Sequence, residues 1–278
     1  MQGIDCHCHL EYMANPESVI AIARERMAAI VTSVADPSHI ENILSFREKH
    51  KDFVFISAGL HPTAIERYND KIINDHIELI RKNKDNIASI GETGLDYHHI
   101  KDPEGIEKSK KIFVRFIELA NELKKPIVIH TRNAMPDTLE IMKKIDVPVM
   151  MHCFSGNNEE LKECVDRGYH ISFTTMIVKS KRYRKLAKKT PIEKILLETD
   201  GPWLDPRDED IIKEEQEKLK QHAPDDERAS DDDRNPFLLT NRPWNIMLSA
   251  EKMEKILHLP KEEILKITTE NARKLFSI

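Results

Sequence analysis

Only four cysteines occur in the 278 residues of the chain, too few for the disulfide framework of a small secreted protein. We therefore expect Cys6, Cys8, Cys153 and Cys164 to be reduced and buried. The sequence also lacks any run of about 18 apolar residues, the length that a membrane-spanning helix needs. Its opening residues have neither the basic nor the apolar region of a secretory signal. These absences predict a soluble, cytoplasmic protein with no membrane partner, and nothing indicates a protein partner.

The net charge of −5 is distributed unevenly along the chain. Residues 205–235 contain thirteen Asp and Glu against six Lys and Arg, which leaves the remainder of the chain slightly positive. An acidic total therefore does not exclude a basic working surface.

Eight short apolar runs recur along the chain, and amphipathic stretches separate them. The runs are GIDCHCHL, AIVTSVA, FVFISAGL, IASIGETGL, PIVIHTR, PVMMHCF, YHISFTT and ILLETDG. Helices are predicted at 16–28, where Asn15 takes the N-cap position, and at 107–123, 243–257 and 260–276. Eight strand–helix units predict an α/β protein, a (β/α)₈ TIM barrel, with an open doubly wound sheet as the alternative. We predict a single domain over residues 1–278, with a charged insertion at 205–235 after strand eight.

The first run places two histidines in alternation with two cysteines. Because side chains on a strand alternate between its faces, Asp5, His7 and His9 are predicted to share one face. Cys6 and Cys8 would then face the helical layer as small hydrophobic residues.

Histidine or acidic residues stand at the carboxyl ends of five predicted strands. They are His7, His9, Glu92, His130, His152 and Asp200. In a barrel these ends converge on one rim, where the active sites of this fold lie. Singly, His130 could be a core histidine and Asp200 a helix cap, but together the six side chains predict a metal site. Buried unpaired carboxylates are costly, and a pair of divalent cations bridged by one carboxylate would remove that cost.

Seven motifs in the same order resemble the TatD-related metal-dependent deoxyribonucleases, a branch of the amidohydrolase-like TIM barrels. They are DCHCHLE, GLHP, GETGLDY, HTR, HCFSG, LETDGPWL and ITTENARKLF. The resemblance implies that His7, His9 and Asp200 bind one metal, that His130 and His152 bind a second, and that Glu92 bridges the two. It also implies hydrolysis of DNA phosphodiesters, in several members from the 3′ end.

Within this reading, Glu92 and Asp200 are the catalytic residues, and Asp200 orients a water and takes its proton. His61 and Arg132 are predicted to contact the substrate phosphate, since the arginine fork suits phosphate oxygens. Alternatively, Arg132 forms an ion pair with a helix and His61 only shapes the turn before Pro62. Two divalent cations are expected, Mg²⁺ or Mn²⁺ for activity, with Zn²⁺ possible at imidazole-rich sites.

Two other functions stay open. One is hydrolysis of a carboxyl derivative, such as an aminoacyl-tRNA ester, an amide or a lactone. Related barrels often have a carboxylated lysine as the bridging ligand, so Glu92 at that position favours a nuclease. The other is a non-catalytic barrel that binds metal or nucleic acid. DNA is the predicted substrate, and RNA is not excluded.

The sequence departs from the family pattern at several places: Glu11 and Thr131 replace the usual Asp and Ser, and residues 240–245 only approximate an Asn-x-Pro motif. The acidic segment is longer than expected, and it either overhangs the cleft or points away from it. A basic run at 179–189 could grip a nucleic-acid backbone, with Tyr183 available for stacking.

Overall fold

A computed structural model describes residues 2–207 and 240–278 of the chain. Each of the eight apolar runs forms a strand. The strands are β1 (Ile4–Cys8), β2 (Ala29–Val34), β3 (Val54–Ala58), β4 (Ile87–Asp96), β5 (Ile127–Arg132), β6 (Val149–Met151), β7 (His170–Phe173) and β8 (Ile195–Leu197). Runs rich in Ile, Val and Phe suit strands that are buried on both faces.

Amphipathic helices follow most of the strands, and two close the chain. The helices are α1 (Pro16–Arg26), α2 (Ile40–Lys49), α3 (Asp70–Lys82), α4 (Pro103–Leu123), α5 (Met135–Ile141), α6 (Asn158–Asp166), α7 (Lys181–Lys189), α8 (Ile246–Leu257) and α9 (Lys261–Phe276). The four predicted helices all appear. Asn15 does stand at the N-cap of α1, but its side chain makes no capping hydrogen bond.

The eight strands are parallel and lie side by side in chain order. Just beyond the printed strand ends, the first and last strands also meet. The amide of Asp200 donates to the carbonyl of His7 at 2.9 Å, and the amide of His9 donates to the carbonyl of Gly201 at 2.7 Å. Asp5 strengthens this seam, because its carboxylate accepts hydrogen bonds from the amide and hydroxyl of Thr199. The fold is therefore a (β/α)₈ barrel, and the open doubly wound alternative is wrong.

Buried apolar side chains form two groups, one on each side of the barrel wall. The larger group fills the space between strands and helices. The smaller joins residues of β1, β2, β5, β6 and β8, which can meet only across the barrel interior. Ala272, Leu275 and Phe276 of α9 belong to this interior group, so the last helix covers the end where the strands begin.

The two cysteines of β1 lie on different sides of the wall. The pairing of β1 with β2 shifts register between Asp5 and Cys8, so strict alternation fails there. Cys6 joins the interior group and Cys8 the outer one. The prediction that both face the helices is wrong for Cys6. All four cysteines are free thiols; three are buried and Cys153 is partly exposed.

Most of the acidic segment, residues 208–235, lies outside the described part of the chain. The predictions of its course and of the single-domain division of residues 1–278 stay predictions. Among the residues that are described, no helix is both long and apolar enough to cross a membrane.

Candidate metal centre

All six predicted ligand side chains meet at the carboxyl-terminal rim of the barrel. His7 and His9 come from β1 and the residue after it, Glu92 from β4 and His130 from β5; His152 and Asp200 follow β6 and β8. Nitrogen and oxygen atoms from these strands approach within 4.8 Å of one another in overlapping groups of three. The structure thus brings together the residues that the sequence indicated.

Glu92 occupies the centre of this cluster and is only 3% exposed. Its Oε1 atom lies 2.7 Å from Nδ1 of His130 and 3.5 Å from Nε2 of His152. Its other oxygen, Oε2, lies 3.4 Å from Nε2 of His7 and 3.7 Å from Nε2 of His9. One carboxylate therefore faces two different sets of imidazoles, which is the arrangement that a bridging ligand needs.

Glycines on both sides of Glu92 allow its strand to approach β5 closely. Gly94 has a φ of +146°, and a Cβ atom there would collide with the carbonyl oxygen of His130. Gly91, with a φ of +136°, would place a Cβ 2.5 Å from the carbonyl oxygen of Val128. Only glycine combines this backbone conformation with this clearance. The GETG sequence thus fixes the position of the central carboxylate.

The first set of donors is His7, His9 and Asp200. The Nε2 atoms of the two histidines are 3.1 Å apart. Oδ1 of Asp200 lies 3.7 Å from Nε2 of His7 and 3.6 Å from Nε2 of His9. Asp200 has a left-handed backbone, with a φ of +54°, a conformation that is uncommon outside glycine and tends to occur at functional sites.

The second set brings His130 and His61 beside Glu92. His152 lies between the two sets, with Nε2 3.5 Å from Oε1 of Glu92 and its ring stacked on that of His7 at 3.8 Å between centroids. Nε2 of His61 lies 3.3 Å from Nδ1 of His130 and 3.5 Å from Oε1 of Glu92. The other ring nitrogen, Nδ1, accepts a hydrogen bond from the amide of Thr63 and so caps a short 3₁₀ helix. His61 therefore both shapes the turn and presents a nitrogen to the cluster.

Three further carboxylates hold the outer ring nitrogens of the cluster histidines. Oδ2 of Asp96 lies 3.2 Å from Nε2 of His130, and Oε1 of Glu11 lies 3.3 Å from Nδ1 of His9. Glu198 is completely buried, with Oε2 2.8 Å from Nδ1 of His152. Such partners orient ligand imidazoles and raise their basicity. All three lie within the quoted motifs, yet their positions in the sequence did not indicate this role.

The two central carboxyl groups have depressed pKa values. Burial alone would raise the pKa of Glu92, but His152, His61 and hydrogen bonds from His130 and His7 hold it well below its usual range. Burial likewise opposes the charge of Asp200, yet His9, His152 and His7 lower its pKa. Both groups are therefore ionised at neutral pH.

The imidazoles respond in opposite ways to the same surroundings. Burial and the neighbouring His152 lower the pKa of His7. Burial also opposes protonation of His152, but Glu198 and Glu92 outweigh it and raise its pKa to about 10. Such a dense set of perturbed groups in one cleft is typical of functional sites.

The donor set fits divalent cations. Imidazole nitrogens and carboxylate oxygens converge from both sides of Glu92, and each imidazole presents one nitrogen to the cluster. Mixed nitrogen and oxygen ligands of this kind suit Zn²⁺, Mn²⁺ and related ions. Cys153 adds little to the site, because its thiol contacts Tyr183 and burial raises its pKa.

Arg132 ends β5 beside the cluster, and its side chain is exposed. The guanidinium of Arg132 makes no hydrogen bond or ion pair with any residue that the structure describes, so the predicted alternative of a helix ion pair finds no support in residues 2–207 and 240–278. Its position is compatible with the predicted phosphate contact, which stays a prediction.

Most of the basic run forms α7, and several of its residues are engaged within the protein. Tyr183 packs edge-on against Phe173 at 6.1 Å and its hydroxyl contacts Sγ of Cys153 at 3.3 Å. It is therefore not available for stacking, and that prediction is wrong. Arg182 bonds to the carbonyls of Ser155 and Gly156, which ties α7 to the loop after β6.

Comparison with known proteins gives consistent results. The model of the TatD related DNase family matches residues 4–277. The uncharacterized metal-dependent hydrolase MJ1582 of Methanocaldococcus jannaschii is 32% identical over 277 residues, covering 98% of this chain and 96% of its own. Human deoxyribonuclease TATDN3 is 29% identical, covering 98% of this chain and 94% of its own. The crystal structure of YJJV, a TatD homolog from Escherichia coli, shares the fold with a TM-score of 0.80 at 20% identity, over 99% of this chain and 98% of that one.

Proposed function

The chain belongs to the TatD-related family of metal-dependent hydrolases and deoxyribonucleases, and we propose that it cleaves phosphodiester bonds of DNA at the rim cluster, working from the 3′ end. The family supports a hydrolase that depends on metal. The observation that carries the proposal is the position of Glu92, whose two oxygens face separate groups of imidazoles.

Two divalent cations would bind on either side of Glu92. His7, His9 and Asp200 would hold one, and His130 and His152, which both face Oε1 of Glu92, would hold the other. Because Nδ1 of His61 accepts the amide of Thr63, its Nε2 carries the ring hydrogen and would donate it in a hydrogen bond to a phosphate oxygen rather than bind a metal. Mg²⁺ or Mn²⁺ is proposed for activity, with Zn²⁺ as a third candidate, since substrate oxygens can complete the shell of a hard ion. When bound, such cations polarise a phosphoryl oxygen and make water a stronger acid.

Asp200 is the proposed general base. Its carboxylate is ionised and 19% exposed, whereas Glu92 is almost completely enclosed. The water proton would pass to Asp200 as the water oxygen bonds to phosphorus, while the bond from phosphorus to the sugar oxygen breaks and that oxygen takes up a proton from solvent to become a hydroxyl. The backbone hydrogen bond that the amide of Asp200 donates to the carbonyl of His7 keeps this carboxylate beside the first set of imidazoles.

The substrate phosphate would lie between the cluster and Arg132. The exposed guanidinium at the end of β5 has its donors open, and a phosphodiester can accept two of them. His61 approaches from the loop after β3 with a partly exposed ring. Both residues would position the phosphate rather than exchange protons with it.

One experiment separates this function from its alternatives. Protein reconstituted with Mg²⁺, Mn²⁺ or Zn²⁺ is incubated with single-stranded DNA, double-stranded DNA and RNA, each labelled at the 5′ or the 3′ end. Stepwise shortening of 5′-labelled DNA, with early release of a 3′ label as mononucleotide, is the expected result. Hydrolysis of an aminoacyl ester, an amide or a lactone, with no cleavage of DNA under any metal, would replace this proposal by the carboxyl-hydrolase alternative.

A further inference from the structure

Three aromatic side chains lie beside the metal cluster without joining the hydrophobic core. The rings of Tyr12 and Trp203 are 5.2 Å apart between centroids, and His39 lies 5.1 Å from Tyr12. Trp203 approaches the ring of His9 edge-on at 5.1 Å. The aromatic group is therefore in direct contact with one of the proposed metal ligands, His9.

This placement is unusual for the aromatic residues of the chain. Tyr68, Tyr97, Tyr169, Tyr183 and Trp244 are partly buried and pack against the hydrophobic core. Tyr12 and Trp203 are also partly buried, but within the described residues neither packs against that core. The hydroxyl of Tyr12 and the indole nitrogen of Trp203 likewise make no hydrogen bond inside residues 2–207 and 240–278. Large apolar rings with open polar ends are well suited to a ligand that is flat and has polar edges.

The same backbone feature fixes both rings relative to the cluster. The amide of Tyr12 donates to the carbonyl of His9 at 3.2 Å, and the amide of Trp203 donates to the carbonyl of Asp200 at 3.1 Å. Each aromatic residue therefore follows a proposed ligand by one hydrogen-bonded turn. Behind Trp203, the completely buried Asn241 donates its side-chain amide to the carbonyls of Thr199 and Leu204, which holds this loop in place.

We propose that Tyr12 and Trp203 form a stacking surface for an unpaired nucleobase next to the phosphate that is cleaved. The proposal rests on the function proposed above and adds to it a contact with the base beside the cleaved phosphate. Aromatic rings hold bases of any sequence, because every base has a π-face. A base in a duplex is already stacked and paired, so it must be released before these rings can hold it.

The binding test uses the intrinsic fluorescence of the protein. Trp203 and Trp244 are the two tryptophans of the chain, and Trp244 packs near Arg26, away from the group. A Trp244→Phe variant therefore reports on Trp203 alone. Stopped-flow mixing with a single-stranded oligonucleotide is expected to quench its emission before cleavage. The control is an oligonucleotide whose 3′-terminal residues are abasic, which should give little quenching.

The kinetic test compares the same two substrates in Tyr12→Leu and Trp203→Leu. The parent protein should cleave the base-bearing end about 10-fold faster or more, in kcat/KM, than the abasic end, in line with the loss of one stacked base. Each leucine variant should reduce this ratio towards one, while Tyr12→Phe and Trp203→Phe should largely restore it. Metal content, measured by elemental analysis, separates this effect from damage to the cluster.

The possible outcomes are distinct. Unquenched Trp203 emission during single-turnover cleavage of single-stranded DNA overturns the stacking surface and leaves the proposed function intact. An unchanged base-to-abasic ratio in both leucine variants, with normal metal content, also overturns it. Quenching by single-stranded DNA with no cleavage under any metal supports the surface and overturns the proposed reaction.

Discussion

Glu198 accepts a hydrogen bond from Nδ1 of His152 over 2.8 Å, although the two residues are separated by a complete strand–helix unit. Oε1 of the same carboxylate accepts the amide of Cys153 at 2.7 Å. This pair of bonds fixes the imidazole so that its Nε2 points to Glu92. The orientation of one proposed ligand is thus decided by a residue that takes no part in the cluster itself.

Replacing Glu198 by glutamine should weaken metal binding by about 10- to 100-fold, the usual cost of losing such a partner. The side-chain amide cannot accept from both Cys153 and His152, and it carries no charge to increase the basicity of the imidazole. A competitive metal indicator would measure the affinity. Glu193→Gln, in the 3₁₀ helix before β8, is the matched control and should bind metal normally. Equal affinity in both variants would contradict the assignment.

Glu92→Ala should lower the occupancy of both metal sites, because its two oxygens face both groups of imidazoles. His130→Ala should empty mainly one, since its ring belongs to a single group. Elemental analysis after dialysis against limiting metal gives the stoichiometry of each variant. Full metal content in Glu92→Ala would falsify the bridging role.

Asp200→Asn should reduce kcat by at least ~100-fold, the lower range for the loss of a general base. The amide keeps the size of the side chain and one oxygen, so binding of single-stranded DNA at saturating metal should change little. Single-turnover cleavage and fluorescence anisotropy measure the two quantities. If cleavage stays near the parent rate while metal is fully bound, another group activates the water.

His170 should make the stability of the barrel depend on pH far from the metal cluster. Burial, with Lys194 and Lys274 nearby, lowers its pKa from 6.5 to about 4. The unfolded chain therefore binds the proton more readily, so the free energy of unfolding should fall as the pH decreases from about 6.5 to about 4. Above about pH 6.5 the imidazole is neutral in the folded and the unfolded chain, and His170 then causes no loss of stability.

The measurement for His170 is urea unfolding at a series of pH values. His170→Gln should show a shallower loss of stability over the same interval, since its side chain does not titrate. His258→Asn, at the exposed end of α8, is the control and should follow the parent curve. Parallel curves for parent and His170→Gln would rule out this contribution.

The barrel and the six cluster residues could be predicted because each depends on a local signal. A strand such as β5 is a continuous apolar run, and the polar residue His130 stands where that run ends. Once eight such units are counted, the parallel topology brings their ends together. The distances between those ends then follow from the barrel and need no further information from the sequence.

The remaining features depend on contacts between distant segments. Glu198 meets His152 only after β6 and β8 take their places on either side of β7, so no spacing in the sequence indicates the pair. The register shift in β1 places Cys6 and Cys8 on opposite sides of the wall, and alternation alone cannot reveal such a shift. Tyr183 looked exposed within a basic helix, yet it is the residue of that turn that faces Phe173.

The interior apolar group and α9 also determine where molecules can enter and leave the site. Ile4, Cys6, Val128, Met150 and Leu196 fill the barrel below the cluster, and Phe276 covers its far end. These side chains are 0–4% exposed, so the interior is filled and the rim is the opening that they leave to the cluster. Under the proposed function, substrate and product would share that opening, and product should inhibit competitively with substrate.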